Sequence, residues 1–169
     1  MAGAVRHTGG IAKESAREVG AIGRNYYLGV DLGTTAGLAR LYESGAIDCL
    51  SHKVKPSIHE RCVGLAAILD RMITPDCIGV CIEEPFSGQF SSVKALFPMM
   101  GVAVLVCEQK GVPWVLVNLM KLKVHATGKG NAKKEDMQAA AKARWGKDLG
   151  PDEADAAWAA AYMADRTPL

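Results

Sequence analysis

Apolar residues recur along this chain at the spacings of both strands and helices. Residues 26–31 and 36–42 are apolar runs joined by a Gly/Thr turn, which predicts two strands of a hairpin. Residues 46–54 follow a second turn at Ser44 and Gly45 and predict a third strand. We therefore expect a three-strand antiparallel meander over the first third of the chain.

The rest of the chain alternates helical and strand patterns. A helix is predicted to start at Pro56 and Ser57, because apolar residues then recur at spacings of four and three as far as Met72. The nearly continuous apolar run CIGVCIEEPF predicts a strand buried on both faces, and PWVLVN predicts another. Between these two strands, residues 88–110 predict a long apolar helix, with a possible break at Pro98 or a cap near Ser91. A basic loop over 121–132, a helix over 133–145 and a final Ala-rich helix from Asp152 to about Asp165 complete the expected order.

This order of elements predicts an α/β fold of the ribonuclease H-like type. Its core would be a mixed five-stranded sheet, made of the antiparallel meander plus parallel strands, with helices on both faces. Residues 1–25 are rich in Gly, Ala and charge, and predict a flexible N-terminal arm. Residues 26–169 then form a single domain, because 169 residues are too few for two.

Charge along the chain is uneven. The net charge is only +2, but residues 120–147 hold eight Lys and Arg residues against two acids. Such an excess favours a polyanionic partner, although a solvated helix face remains an alternative. No apolar segment approaches the roughly 18 residues of a membrane span, and the first 25 residues lack the apolar centre of a secretory signal. The five cysteines lack metal-site spacing and predict buried free thiols in a reducing compartment.

Four acids are expected to meet at one place: Asp31 on the first strand, Glu83 at the end of the fourth, and Asp152 and Asp155 at the start of the last helix. A spacing of three places the last two on one helical face. Carboxylates gathered in a partly buried space repel one another unless cations neutralise them. Oxygen ligands favour Mg²⁺ or Mn²⁺, and two such ions can support phosphodiester hydrolysis.

Each acid also has a purely structural interpretation. Asp31 could cap the Gly/Thr turn, Asp152 could be a helix N-cap, and Glu84 could replace Glu83 as the ligand. Strand alternation places Glu83 and Glu84 on opposite faces, so only one of them can share a face with Asp31. Whether Glu84 or Glu153 assists the metal site stays open.

The segment GVDLGTT has a second interpretation, because Gly33, Thr34 and Thr35 are nearly the phosphate loop of sugar-kinase and chaperone ATPases. Those ATPases need a duplicated second half with its own phosphate and adenosine motifs. A chain of 169 residues has no room for that half, so the nuclease interpretation is favoured.

Four segments resemble successive motifs of the RuvC-type Holliday-junction resolvases: LGVDLGTTAG, VCIEEPF, KVHATGKGNAKK and PDEADAAWAAAY. The resemblance extends over residues 26–166. It implies that Asp31, Glu83, Asp152 and Asp155 hold two Mg²⁺ ions, for which Mn²⁺ can substitute. It further implies that Lys123 and Lys134 lie near the scissile phosphate, where Lys134 acts in catalysis, and that Phe86 stacks on an unpaired base. The alternatives are a core ring beside the strand end for Phe86 and nonspecific phosphate contacts for the lysines. The remaining DNA contacts are expected from basic residues: Lys121, Lys123, Lys129 and Lys133.

The resemblance implies a crossover junction endodeoxyribonuclease that resolves four-way DNA by paired symmetric nicks. Such enzymes work as homodimers, and helix 88–110 is the expected interface. The expected location is the cytoplasm of a bacterium or a phage-infected host, with organelle import through the N-terminal arm left open. Alternatives are a broader branched-DNA nuclease, a YqgF-like nuclease and a noncatalytic junction-binding module.

Overall fold

A computed structural model describes residues 24–33, 35–53, 57–85 and 90–166. The described residues form five strands and five helices in the order βββαβαβααα. The strands are β1 Tyr26–Asp31, β2 Thr35–Tyr42, β3 Ile47–Lys53, β4 Cys77–Glu83 and β5 Trp114–Val117. The helices are α1 Ile58–Met72, α2 Phe90–Lys110, α3 Leu119–Thr127, α4 Lys134–Trp145 and α5 Pro151–Ala164.

The strands form one mixed sheet in the order β3-β2-β1-β4-β5. The first three strands pair antiparallel, whereas β4 pairs parallel with both β1 and β5. This topology confirms the predicted α/β fold, with its antiparallel meander and its parallel strands. In this order the first strand lies beside the fourth.

The prediction of a basic loop over residues 121–132 is wrong for its first part, because α3 continues through Thr127. The Asn118 side chain caps this short helix by accepting a hydrogen bond from the Lys121 backbone N–H at 2.9 Å. Gly128 ends the helix in the left-handed conformation, with φ of 76°, which favours glycine. Lys121 and Lys123 therefore lie on a helix rather than on a loop.

Helix α2 runs through Pro98 without ending there, so the predicted break is absent from this helix. Phe86 lies outside the described residues, as does nearly all of the predicted arm, residues 1–25. No helix in the described part of the chain is long and apolar enough to cross a membrane.

Side chains from the two faces of the sheet enter two separate apolar cores. One core lies under α1 and α2 and includes Leu28, Val30 and Ile82. The other lies under α3, α4 and α5 and includes Tyr27, Cys81 and most of the Ala-rich helix α5. The cysteines among the described residues are free thiols, as predicted; Cys77, Cys81 and Cys107 are buried, and Cys49 and Cys62 are half-buried.

Glycines in three strands let α5 lie directly on the sheet. A Cβ atom at Gly29 would be 1.9 Å from the Ala156 carbonyl oxygen, and one at Gly37 would be 2.0 Å from the Asp152 carbonyl oxygen. At Gly79 the added atom would meet the Met163 side chain at 2.4 Å. Because neither helix backbone nor strand backbone can yield easily, Gly29 and Gly37 fix how closely α5 approaches β1 and β2.

Candidate metal centre

Two acids end neighbouring parallel strands. Asp31 is the last residue of β1, Glu83 is the last residue of β4, and the residues just before them, Val30 and Ile82, are paired in the sheet. Side chains alternate along a strand, so Val30 and Ile82 enter the core under α1 and α2 while the two acids face α5. Parallel pairing of apolar strands therefore brings two carboxylates side by side.

The third acid comes from helix α5. Asp31 is paired across the hairpin with Gly37, whose missing side chain admits the first turn of α5. Asp155, in that part of the helix, joins Asp31 and Glu83 in a group whose carboxylate oxygens lie within 4.8 Å of one another. All three side chains are half-buried.

Burial and mutual repulsion make these acids hard to ionise. Burial, with the charges of Asp155 and Asp152, raises the pKa of Asp31 to about 7. Burial, with the charges of Asp31 and Asp155, raises the pKa of Glu83 to about 9. The pKa of Asp155 is also raised, chiefly by burial. Carboxyl groups with such pKa values require nearby positive charge if all are to be ionised at neutral pH.

Two lysines supply part of that positive charge. The charges of Lys123 on α3 and Lys134 on α4 both act to lower the pKa values of Glu83 and Asp155, and Lys134 acts in the same way on Asp31. Lys134 is exposed and Lys123 is half-buried. The structure thus gathers three acids and two lysines from five different elements at one end of the sheet.

Other predicted site residues occupy different positions. Asp152 is outside the group of acids that lie within 4.8 Å, although its charge raises the pKa values of Asp31 and Asp155. Lys121, Lys129 and Lys133 are exposed on α3 and on the segment between α3 and α4. Phe86 lies outside the described residues.

The two alternative acids are not part of the group. Glu153 accepts hydrogen bonds from the Ser51 hydroxyl on β3 and from the Gly150 backbone N–H, each at 2.9 Å. These contacts turn its carboxylate towards β3 and the N-terminus of α5. Glu84 is one residue past β4, and its backbone N–H donates to the Val117 carbonyl at 2.8 Å. Between Glu83 and Glu84, the structure brings only Glu83 to Asp31 and Asp155.

The donor set fits a divalent cation. It consists of carboxylate oxygens, which suit hard ions such as Mg²⁺ and Mn²⁺. In addition, Glu83 Oε2 is buried and has no hydrogen-bond partner among the described residues. A bound cation would satisfy this oxygen and remove the repulsion among the three acids.

The sequence interpretation missed how the last helix is brought to the acids. Gly29 and Gly37 create the close approach between sheet and helix, yet neither belongs to a predicted set of site residues. Their signal was available, since glycine inside an apolar strand often marks a close approach of another backbone.

The described residues form an α/β domain with the ribonuclease H-like fold and a candidate metal site at its strand ends. The solved structure of Thermus thermophilus RuvC aligns with a TM-score of 0.67 at 23% identity, over 80% of this chain and 90% of RuvC. The same protein in complex with a Holliday junction substrate aligns with a TM-score of 0.69, at the same identity and coverage. No family model and no curated protein matches the sequence. The likeness to RuvC thus establishes the fold that the motifs predicted.

Proposed function

We propose that this protein is a metal-dependent endonuclease that resolves four-way DNA junctions by paired symmetric nicks. The observation that carries the proposal is the convergence of Asp31, Glu83 and Asp155, on which the charges of Lys123 and Lys134 act. Acids that bind cations, next to lysines that bind phosphate, match the needs of phosphodiester hydrolysis. The fold shared with RuvC, one of whose solved structures contains a Holliday junction substrate, supports a branched DNA as the substrate.

Acids and lysines have separate tasks in this proposal. Asp31, Glu83, Asp152 and Asp155 hold two Mg²⁺ ions, or Mn²⁺ in their place. When bound, these ions supply an activated water and stabilise the oxygens that attack and leave phosphorus. Lys134 stabilises negative charge on the reacting phosphate or leaving group. Lys123 orients the same phosphate from the neighbouring helix.

Contacts with the rest of the DNA extend from the same end of the sheet. Lys121, Lys129 and Lys133 are exposed, and we assign them to phosphates on either side of the cut. The proposed role of Phe86 is to stack on an unpaired base at the crossover. In the sequence this residue follows Glu83, the last residue of β4, by three positions.

Symmetric cutting requires two active sites, and we propose that α2 joins two copies of the chain. Its buried side includes Met99, Ala103 and Cys107, which pack on the sheet. Its outer side has Phe97 at 46% exposure and Leu105 at 55%, with Gly101 between them at intervals of four residues. An apolar stripe of this kind suits the self-complementary contact of a twofold dimer.

The test is to map cleavage of a synthetic mobile four-way junction in Mg²⁺, with linear duplex and fork DNA as controls. Paired symmetric nicks are expected for the wild type. Glu83→Gln should abolish cleavage while keeping junction binding, because it removes a cation ligand and reduces repulsion of phosphate.

The matched control is Glu84→Gln, which makes the same chemical change one residue away and should cleave normally. Scattered or single cuts would indicate a broader branched-DNA nuclease. Tight junction binding without cleavage in Mg²⁺ or Mn²⁺ would indicate a noncatalytic binding module.

A further inference from the structure

Trp158 lies where the three helices of the site meet. It is on α5, only 5% exposed, and belongs to the core under α3, α4 and α5. Most of its buried neighbours on α5 are alanines, which cannot reach far from the helix axis. The indole is therefore one of the few large groups that extend from α5 towards the other two helices.

A hydrogen bond joins Trp158 to α4. The indole Nε1–H donates to the Met137 carbonyl oxygen at 3.2 Å, and the bond is buried. Met137 follows Lys134 by three residues, and Trp158 follows Asp155 by three residues. Because α-helices have 3.6 residues per turn, this bond links α4 and α5 about one turn beyond the lysine and the acid. It fixes the position of α4 along the axis of α5.

The far end of α4 also contacts the indole. The Trp145 and Trp158 rings have centroids 4.9 Å apart, and the Arg144 guanidinium lies 5.3 Å from the Trp158 ring centroid. Trp145 follows Met137 by eight residues. Contacts at both places restrict sliding of α4 and also its rotation against α5.

Trp158 reaches α3 through an aromatic contact. The His125 ring meets the Trp158 ring edge-on, with centroids 6.0 Å apart, and meets the Tyr162 ring in the same way at 5.3 Å. His125 is two residues after Lys123. The same indole thus contacts both helices that carry the lysines of the site.

We infer that Trp158 is a positioning residue, which holds Lys134 and Lys123 at their working distance from Asp31, Glu83 and Asp155. This inference rests on the proposed nuclease function for its effect on rate. It concerns the indole N–H in particular, because that group makes the buried bond between α4 and α5. Without this bond, the Met137 carbonyl would keep only its hydrogen bond within α4. Helix α4 could then shift relative to α5.

The sharpest experiment replaces the indole N–H by sulfur, using 3-benzothienylalanine at position 158. The ring keeps its shape, so packing is retained and only the donor is lost. Single-turnover cleavage of the four-way junction should slow by about 10-fold, since small misplacements of catalytic groups have effects of this order or larger. The Kd for the junction should stay within about twofold of wild type.

The matched control is the same replacement at Trp114, whose Nε1–H donates to Glu108 at 2.7 Å on the opposite side of the sheet. It removes one indole hydrogen bond and should leave the cleavage rate unchanged. Trp158→Phe serves as a second variant that needs no synthetic residue. It should slow cleavage at least as much as the sulfur replacement.

A double-mutant cycle separates positioning from general loss of structure. If Trp158 acts through Lys134, the sulfur replacement should slow cleavage by a smaller factor in a Lys134→Ala background than in the wild type. Lys123→Ala provides a second background, because Trp158 also contacts α3. Losses equal to that in the wild type in both lysine backgrounds would reduce Trp158 to a structural residue. An unchanged rate in the wild-type background would overturn the inference directly.

Mn²⁺ affinity, measured from the free-ion signal in electron paramagnetic resonance, gives a readout that does not depend on cleavage. Lysines held near the acids oppose cation binding, so their displacement should tighten Mn²⁺ binding by about twofold. The Trp114 control should show no such change. If the wild type binds Mn²⁺ but cuts no DNA, the proposed function fails, while unchanged Mn²⁺ affinity at position 158 would overturn the positioning role independently.

Discussion

The two faces of the sheet use the same strands for different purposes. Towards α1 and α2 the strands present Val30 and Ile82, which are fully buried in an apolar core. Towards α5 the very next residues are Asp31 and Glu83, two acids with raised pKa values. Because side chains alternate along a strand, one pair of strands supplies both a core and a reactive site. The stable face lets the other face tolerate charges that repel one another.

The largest expected difference between the faces is in catalysis. Lys134→Ala, on the α5 side, should slow junction cleavage by about 100- to 1,000-fold, because a charge that stabilises the transition state is worth about 2.7 to 4 kcal/mol. Lys94→Ala, on α2, should leave the rate near that of the wild type. Single-turnover rates and junction affinity measure both variants. A Lys134→Ala variant that loses rate and affinity equally would make this lysine a general phosphate contact.

The next difference is in packing tolerance. Gly29→Ala should lower the free energy of unfolding by about 3 kcal/mol, because the new methyl group would meet the Ala156 carbonyl at 1.9 Å. Gly64→Ala on α1 would place its Cβ 3.8 Å from His52 Nε2, an ordinary contact, and should raise that free energy by about 0.5 to 1 kcal/mol. Urea unfolding compares the two. Equal stabilities would show that α5 can move away from the sheet without cost.

The acids should also make stability depend on pH in the absence of cations. Because their pKa values are raised in the folded state, the folded protein binds these protons more tightly than the unfolded chain does. The contribution of this tighter binding to the free energy of unfolding is fully present below the ordinary carboxyl pKa. It is lost as pH rises through about 7 for Asp31 and about 9 for Glu83. In a chelator, Glu83→Gln should therefore be more stable than the wild type by about 2 kcal/mol near pH 8, with a smaller gap near pH 5.

Thermal unfolding at the two pH values measures this gap, and Glu84→Gln is the control. Added Mg²⁺ should raise the Tm of the wild type near pH 8 and have little effect on Glu83→Gln. Without cations, the Tm of the wild type should fall relative to that of Glu83→Gln between pH 5 and pH 8. If it does not, ionised Glu83 does not destabilise the fold.

The smallest effect on stability is expected on the outer side of α2. Leu105→Glu should change the free energy of unfolding of one chain by less than about 0.5 kcal/mol, because the residue is 55% exposed. It should nevertheless shift the protein from dimer to monomer in analytical ultracentrifugation. Val63→Glu on α1, at 57% exposure, should not affect association. Identical sedimentation of the wild type and Leu105→Glu would remove α2 as the interface.

Periodicity predicted the elements with long or strongly apolar patterns. Strands β1 and β4 and helix α1 agree with their predicted bounds to within a few residues, because burial on one or both faces imposes a clear pattern. Helix α3 was missed because it has only nine residues and carries lysines where an apolar stripe is expected. The sequence nevertheless indicates both ends of this helix, because Asn118 and Gly128 are common helix-capping residues.

The sequence by itself determined which residues could form the site: the acids at strand ends, the lysines and the Asp-x-x-Asp helix start are all local patterns. Only the tertiary structure decided which of them meet. Asp155 joins Asp31 and Glu83 while Asp152 stays outside that group, and Glu153 turns towards Ser51. The physical reason is that helix placement depends on contacts distant in sequence. A glycine inside a strand can signal that another backbone comes close, but only the fold shows that Gly29 and Gly37 meet α5 and that Trp158 meets Met137.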